Sequence, residues 1–223
     1  MGIRAVLFDL DGTLVDSERA NYESVARVLE RDLGVVMTQA QREFVVGHSW
    51  NEIHALLVSE HEGLSIGMHE LSARATEERE RLVAEKGMPT LPGAVEAVRR
   101  LGARYPKAIV TGSSRAEAWH SLRLLGLTND FQVVMASEDY ARGKPAPDGY
   151  LMAASALGAA PKDCLVLEDS VSGIAAGRAA GMLVVAIRVG NFLGHDQSAA
   201  HYIVETLDDV TDSFLAAIEG SGA

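Results

Sequence analysis

Two aspartates separated by one residue close the first apolar run of the chain, in Phe8-Asp9-Leu10-Asp11-Gly12-Thr13. In an extended chain, residues i and i+2 project to the same side, so both carboxylates address one point off the end of a strand. Like charges so close repel unless one is protonated or a cation lies between them. A solvated turn has the same composition, because Asp and Gly are common turn residues. Three further segments separate the two readings. Val110-Thr111-Gly112-Ser113-Ser114 ends another apolar run in hydroxyls, and Ser114-x-x-Glu117 is a capping box that opens a helix. Free backbone N–H groups at such a helix start favour a phosphate. Gly143-Lys144-Pro145 sets a lysine in a proline-stiffened loop, and Val166-Leu167-Glu168-Asp169-Ser170 ends a strongly apolar run in two acids, with Gly173 in the turn that follows.

These groups need strand ends to carry them, and the hydrophobic pattern supplies them. Apolar runs at 3–8, 107–111, 132–135, 164–167 and 183–187 alternate with helical stretches near 93–104, 114–126, 147–158 and 171–180. Uninterrupted apolar strands between helices predict an α/β chain with a parallel, doubly wound sheet covered on both faces. Ligands of such sheets bind off the carboxyl ends of the strands, where all four motifs lie. The alternation breaks between Ser17 and about Met88, a stretch of helical patterns without a convincing strand. The expected organisation is therefore a core domain of residues 1–16 and 89–223 with an all-helical domain, 17–88, inserted into it. Thr38-x-x-Gln41 is a capping box within the insertion, the charged run from Arg74 to Lys86 reads as a solvated helix face, and Pro89-Thr90-Leu91-Pro92-Gly93 is the return hinge. The tail Gly220-Ser221-Gly222-Ala223 reads as frayed.

Composition narrows the function classes. The formal charge of −11 over 223 residues argues against nucleic-acid partners, which require clustered Lys and Arg. It also repels anionic substrates at long range, so a local cation must reverse the sign at any phosphate site, and a bound divalent metal is the obvious one. No apolar run is long enough to span a bilayer, and the chain enters its first strand without a signal-peptide pattern. The expected location is the cytoplasm, with no membrane partner and a monomer by default. Cys164 is the only cysteine, which excludes an internal disulfide and a four-cysteine zinc site.

Asp-x-Asp, Thr, Lys and Glu-Asp, in that order and spacing, resemble the four motifs of the haloacid dehalogenase superfamily. The insertion resembles the mobile C1-type cap of its beta-phosphoglucomutase-like phosphatases. The resemblance implies a Rossmann-like sheet of strand order 5-4-1-2-3 with an inserted helical cap. It implies Asp9 as the nucleophile that forms an aspartyl-phosphate, and Asp11 as the general acid and base. Asp9, the Asp11 carbonyl, Glu168 and Asp169 would hold Mg²⁺ as cofactor, while Thr111, Gly112, Ser113 and Lys144 would hold the phosphoryl oxygens. The implied reaction is hydrolysis of a small phosphorylated metabolite, with a sugar phosphate leading. The second aspartate weighs against dehalogenation, since a halide leaves without a proton and a sugar alkoxide does not. A phosphomutase shares the core residues, and a catalytically silent interaction module shares the fold. Two departures weigh against the mutase: Asn21 stands where those enzymes have a histidine, and Trp50 where they have an arginine. Glu18, Asn21, His48 and Trp50 are the expected substrate contacts of the cap. Trp119 and His120 read as structural.

Overall fold

The computed structural model describes residues 2–46 and 48–220; Gly47 and the expected frayed end Ser221–Ala223 lie outside the described residues, and Gly220 closes the last helix. The chain divides into two compact units, Met1–Asp16 with Thr90–Ala223, and Ser17–Pro89.

The first unit is built on a six-stranded, wholly parallel sheet in the order β3-β2-β1-β4-β5-β6. Its strands are β1 (Ala5–Phe8), β2 (Lys107–Val110), β3 (Val133–Met135), β4 (Cys164–Glu168), β5 (Leu183–Ile187) and β6 (Tyr202–Val204). The order extends the expected 5-4-1-2-3 by one edge strand. β6 is three residues long and only partly buried, so it lacks the apolar run that marks the others. His201, which carries no sequence signal, joins β6 to the sheet: its Nδ1 accepts the Val184 N–H at 3.0 Å.

Alternation along the strands sorts the core onto two faces. Leu7, Ala108, Val110, Val166, Val184 and Ala186 pack with Tyr150, Ala153 and Ile174 from α7 (Asp148–Ala156) and α8 (Val171–Ala179). The intervening Val6, Phe8, Ile109, Leu165 and Leu167 are fully buried as well, as a sheet covered on both sides requires. β1 sits between β2 and β4, so successive connections leave it in opposite directions, and its carboxyl end lies at the switch point of the sheet.

The second unit is helical throughout its regular elements: α1 (Ser17–Leu33), α2 (Gln39–Val45), α3 (Trp50–Glu60) and α4 (Met68–Lys86). Thr38 and Gln41 form the expected reciprocal cap of α2, and Ser49 with Glu52 caps α3 in the same way. Val25, Val28, Leu29, Val45, Ile53, Leu57 and Leu71 make its core. The charged run of α4 departs from a solvated face at one point. Glu78 is 3% exposed and faces Arg27, Arg31 and Arg81, so it ties α1 to α4. α5 (Ala94–Gly102), α6 (Arg115–Leu124) and α9 (Asp212–Gly220) complete the first unit.

Two glycines permit the backbone approaches on which the strand ends depend. Gly12 has φ +85°, and a methyl group there would overlap the Asp169 carboxylate. Gly190, in the loop after β5, lies so close to the Gly12 carbonyl that any Cβ would collide with backbone. Replacing Gly190 by Ala is expected to cost about 1–3 kcal/mol of stability, the usual penalty of overpacking. Urea unfolding checks this, and a variant as stable as the parent would show that the loop is free to move away.

Candidate active site

Asp9 follows β1 directly and takes its N–H to the Leu167 carbonyl of β4 at 3.0 Å, which fixes it between the two strand ends. The residue is 5% exposed. Lys144, from the loop before α7, places Nζ 2.5 Å from Asp9 Oδ1 and 2.5 Å from Glu168 Oε1. Carboxylate oxygens of Asp9, Glu168 and Asp169 all lie within 4.8 Å of one another. Three of the four motifs thus converge on one point, through strands distant in sequence.

The fourth joins through Asp11. Its Oδ2 accepts hydrogen bonds from Ser113 Oγ at 2.6 Å and Thr111 Oγ1 at 3.3 Å. The Ser113 N–H in turn donates to Thr111 Oγ1 at 3.0 Å. Ser114 and Glu117 form the expected capping box at the start of α6. Gly112 is exposed, with nothing near its Cα on the side where a Cβ would stand, so the turn is open at that point.

The three acids differ in their surroundings. Glu168 is fully buried and accepts at both oxygens: Lys144 Nζ and Tyr150 OH donate to Oε1, and Asp169 N, Ser170 N and Ser170 Oγ donate to Oε2. Five donors leave it engaged chiefly in holding Lys144 and the start of α8. Among the described residues, the Asp169 carboxylate receives one side-chain donor, Thr13 Oγ1, at 3.3 Å. Gly173 is required beside this cluster, because a Cβ there would fall on the Glu168 carboxylate.

Burial dominates the electrostatics. It pushes the Asp9 carboxyl up to about 7, against the pull of Lys144 and with the help of Glu168 and Asp11. It pushes Asp169 up to about 9, with Asp9 and Glu168 adding to the effect. Burial opposes the charge on Lys144, but Asp9 and Glu168 outweigh it and hold the ammonium protonated well above the ordinary lysine value. Three carboxylates therefore cluster around one cation, and among the described residues Lys144 pairs with Asp9 and Glu168 but not with Asp169. An all-oxygen, electron-rich donor set of this kind fits a hard divalent cation.

The helical unit holds the other expected residues. Asn21, His48 and Trp50 line one cavity of about 260 Å³ within that unit. His48 is exposed and stacks on Phe44, with ring centroids 3.8 Å apart. Glu18 is half-buried in the first turn of α1 and does not line this cavity. Sequence reasoning missed Arg79, which lines it too and donates to Asn21 Oδ1 at 3.4 Å. In the first unit it missed Tyr140, whose OH donates to the Thr111 carbonyl at 2.5 Å, and Tyr150, which is 1% exposed. It also missed Gln197, which donates to the Asp169 and Ile187 carbonyls at 2.6 and 3.1 Å. None of these sits in a local motif. The one available hint was the regular spacing of Tyr150 on the buried face of the helix that follows Lys144.

A family model described as haloacid dehalogenase-like hydrolase matches residues 3–181. The chain is 34% identical to the validoxylamine A 7'-phosphate phosphatase of Streptomyces hygroscopicus subsp. limoneus, over 94% of its own length and 95% of that protein. It is 36% identical to hexitol phosphatase A of Escherichia coli, over 84% of each. Its fold matches the crystal structure of a HAD family hydrolase from Deinococcus radiodurans with bound phosphate and sodium, with a TM-score of 0.78, 29% identity and 96% of both chains covered. No helix among the described residues is long and apolar enough to cross a membrane.

The raised carboxyls give a sign to the pH dependence of stability. Without metal, the folded state binds protons on Asp9 and Asp169 that the unfolded state has released, between the ordinary value of 3.8 and about 7 or 9. Stability of the metal-free protein is expected to be higher at the acid end of that window and to fall as pH rises through it. A divalent cation held by these acids would bind their ionised form, so any gain in melting temperature on adding Mg²⁺ should grow with pH. Thermal melts in EDTA and in Mg²⁺ from pH 5 to 9 check this; a gain independent of pH would contradict it.

Proposed function

Because the chain belongs to the haloacid dehalogenase-like hydrolases, as a phosphatase of that family, we propose that it hydrolyses a small phosphorylated metabolite, a sugar or polyol phosphate, with Asp9 as nucleophile and Mg²⁺ as cofactor. The observation that carries this reading is the convergence of Asp9, Lys144 and Asp169 at the carboxyl end of β1, with Asp11 held beside them by two hydroxyls. The two relatives named above are phosphatases whose names specify polyhydroxylated phosphate esters, which supports the substrate class.

In this reading the Asp9 carboxylate attacks phosphorus and the ester P–O bond breaks. The departing alkoxide takes a proton from Asp11. Asp11 then removes a proton from water, which attacks the aspartyl-phosphate, and the bond between phosphorus and Asp9 breaks to release inorganic phosphate. Lys144 neutralises Asp9 in the resting site and stabilises the phosphoryl oxygens, and Thr111, Ser113 and the Gly112 turn offer hydroxyl and N–H donors to them. Asp9, Asp169 and the Asp11 carbonyl would hold Mg²⁺, with Glu168 in support; the ion supplies charge neutralisation for nucleophile and phosphate. Tyr150 keeps Glu168, and through it Lys144, in place.

Hydrolysis of p-nitrophenyl phosphate with Mg²⁺ tests the assignment. Asp9→Asn is expected to abolish turnover and EDTA to suppress it; retained turnover in either would refute the mechanism. Asp11→Asn separates the two proton transfers. Turnover of an alkyl phosphate should fall about 10²–10⁴-fold. With p-nitrophenyl phosphate, whose leaving group needs no acid, the first step should survive and the aspartyl-phosphate accumulate. Rapid mixing would then show a burst of one nitrophenolate per site, and its absence would remove Asp11 from the second step.

A further inference from the structure

Two segments meet beyond the carboxyl end of β2. One is the turn 111–114, whose hydroxyls reach Asp11; the other is 136–140, which follows β3 and includes the one-turn helix Ser137–Asp139. The Thr111 N–H donates to the Met135 carbonyl at 3.0 Å, and the Ser137 N–H to the Ser113 carbonyl at 3.0 Å. The Glu138 carboxylate accepts the Arg115 N–H at 3.0 Å, and the Arg115 guanidinium pairs with Asp139. Tyr140 completes this grip. Its hydroxyl donates to the Thr111 carbonyl at 2.5 Å, at the short end of the range for such bonds. Its ring lies against Gly149 in the first turn of α7, where a Cβ would stand 3.0 Å from the ring carbon Cε1. Burial pushes the Tyr140 phenol above its ordinary value, so the group stays protonated and donates.

The N–H groups of the turn are spent unevenly. The Ser113 N–H goes to Thr111 Oγ1, the Ser114 N–H to Glu117 and the Arg115 N–H to Glu138. The Gly112 N–H finds no acceptor among the described residues. It shares a peptide unit with the Thr111 carbonyl, and in a planar trans peptide the C=O and N–H point in opposite directions. Fixing that carbonyl on Tyr140 therefore fixes the Gly112 N–H facing the other way, at a glycine whose backbone is otherwise free to rotate. We propose that Tyr140 is a positioning residue of the phosphoryl site, whose hydroxyl sets the Thr111–Gly112 peptide so that the Gly112 N–H is presented to a phosphoryl oxygen. This rests on the phosphatase reading above and deepens it. A hydroxyl that served only to satisfy a buried carbonyl would act differently: its loss would lower stability and the active fraction but leave the surviving sites unaltered.

Tyr140→Phe keeps the ring on Gly149 and removes only the donor. With p-nitrophenyl phosphate and Mg²⁺, the full-length variant is expected to show KM, and the inhibition constants of inorganic phosphate and orthovanadate, raised about 3–10-fold, the worth of one hydrogen bond. Asp139→Asn is the control. It loosens the same segment, since Asp139 accepts the Ala136 N–H at 2.9 Å, but it does not touch the Thr111 carbonyl. Its constants should match the parent's. Parental constants in Tyr140→Phe, whatever happens to kcat, or an equal rise in Asp139→Asn, would overturn the proposal. A second measurement does not depend on the variant's folding. In parent protein labelled with ¹⁵N-glycine, the Gly112 amide resonance should move downfield when inorganic phosphate is added with Mg²⁺. Gly112→Ala assigns that resonance by its disappearance, and nothing lies within 4 Å of the added Cβ. A Gly112 resonance that phosphate leaves in place refutes the proposal. If the parent does not turn over p-nitrophenyl phosphate, the phosphatase reading is what fails. The Gly112 resonance then decides the role of Tyr140 by itself: a phosphate shift that Tyr140→Phe abolishes supports it, and any other result refutes it.

Discussion

A single ammonium group, Lys144 Nζ, stands 2.5 Å from both Asp9 Oδ1 and Glu168 Oε1, and both of these acids are buried. Removing charges from water is costly unless they are paired and hydrogen-bonded, and removing one partner of such a group is far worse than never having built it. The surroundings are arranged to meet that demand. Tyr150, the Asp169 and Ser170 N–H groups and the Ser170 hydroxyl complete the hydrogen bonding of Glu168, so its charge can be held where Lys144 needs it. The core face of α7 supplies Tyr150 and the loop before α7 supplies Lys144, so packing of one helix onto the sheet sets the cation and its support together.

That arrangement is deliberately short of positive charge. Glu168 and Lys144 nearly cancel, and Asp9 and Asp169 are left with burial as the largest influence on their protonation. A site in this condition binds a divalent cation readily because the cation removes a cost that folding has already imposed. The same local surplus of acid bears on the net charge of −11: an anionic ester, repelled by the molecule at long range, would meet positive potential only where a bound cation and Lys144 faced it.

The helical unit handles charge in the opposite way. Its interior ion network, centred on Glu78, satisfies arginines from α1 and α4 and leaves Arg79 to a cavity lined by neutral groups. The sheet unit, by contrast, concentrates carboxylate oxygens around Asp9.

The strand-end motifs were readable in the sequence because each is local. A β-strand puts its last residues at a defined edge, so Asp9, Asp11, Thr111, Glu168 and Asp169 could be placed from apolar runs alone, and the parallel α/β class followed from the same runs. The helical insertion was readable for the converse reason, since its 3.6-residue periodicity and capping boxes are also local signals. β6 escaped because three half-exposed edge residues carry no such pattern. Tyr150, Gln197, Gly190 and Arg79 escaped because their roles are defined by partners 18, 28, 178 and 58 positions away in Glu168, Asp169, Gly12 and Asn21. By itself the sequence determined the parallel α/β class and which acids and hydroxyls stand at the strand ends. Only the tertiary structure decided that Glu168 is taken up in holding Lys144 and that Asp169 joins Asp9 and Glu168 in one buried acidic cluster. Charge pairing in a buried space depends on what folding brings within about 4 Å, and no local pattern encodes that distance.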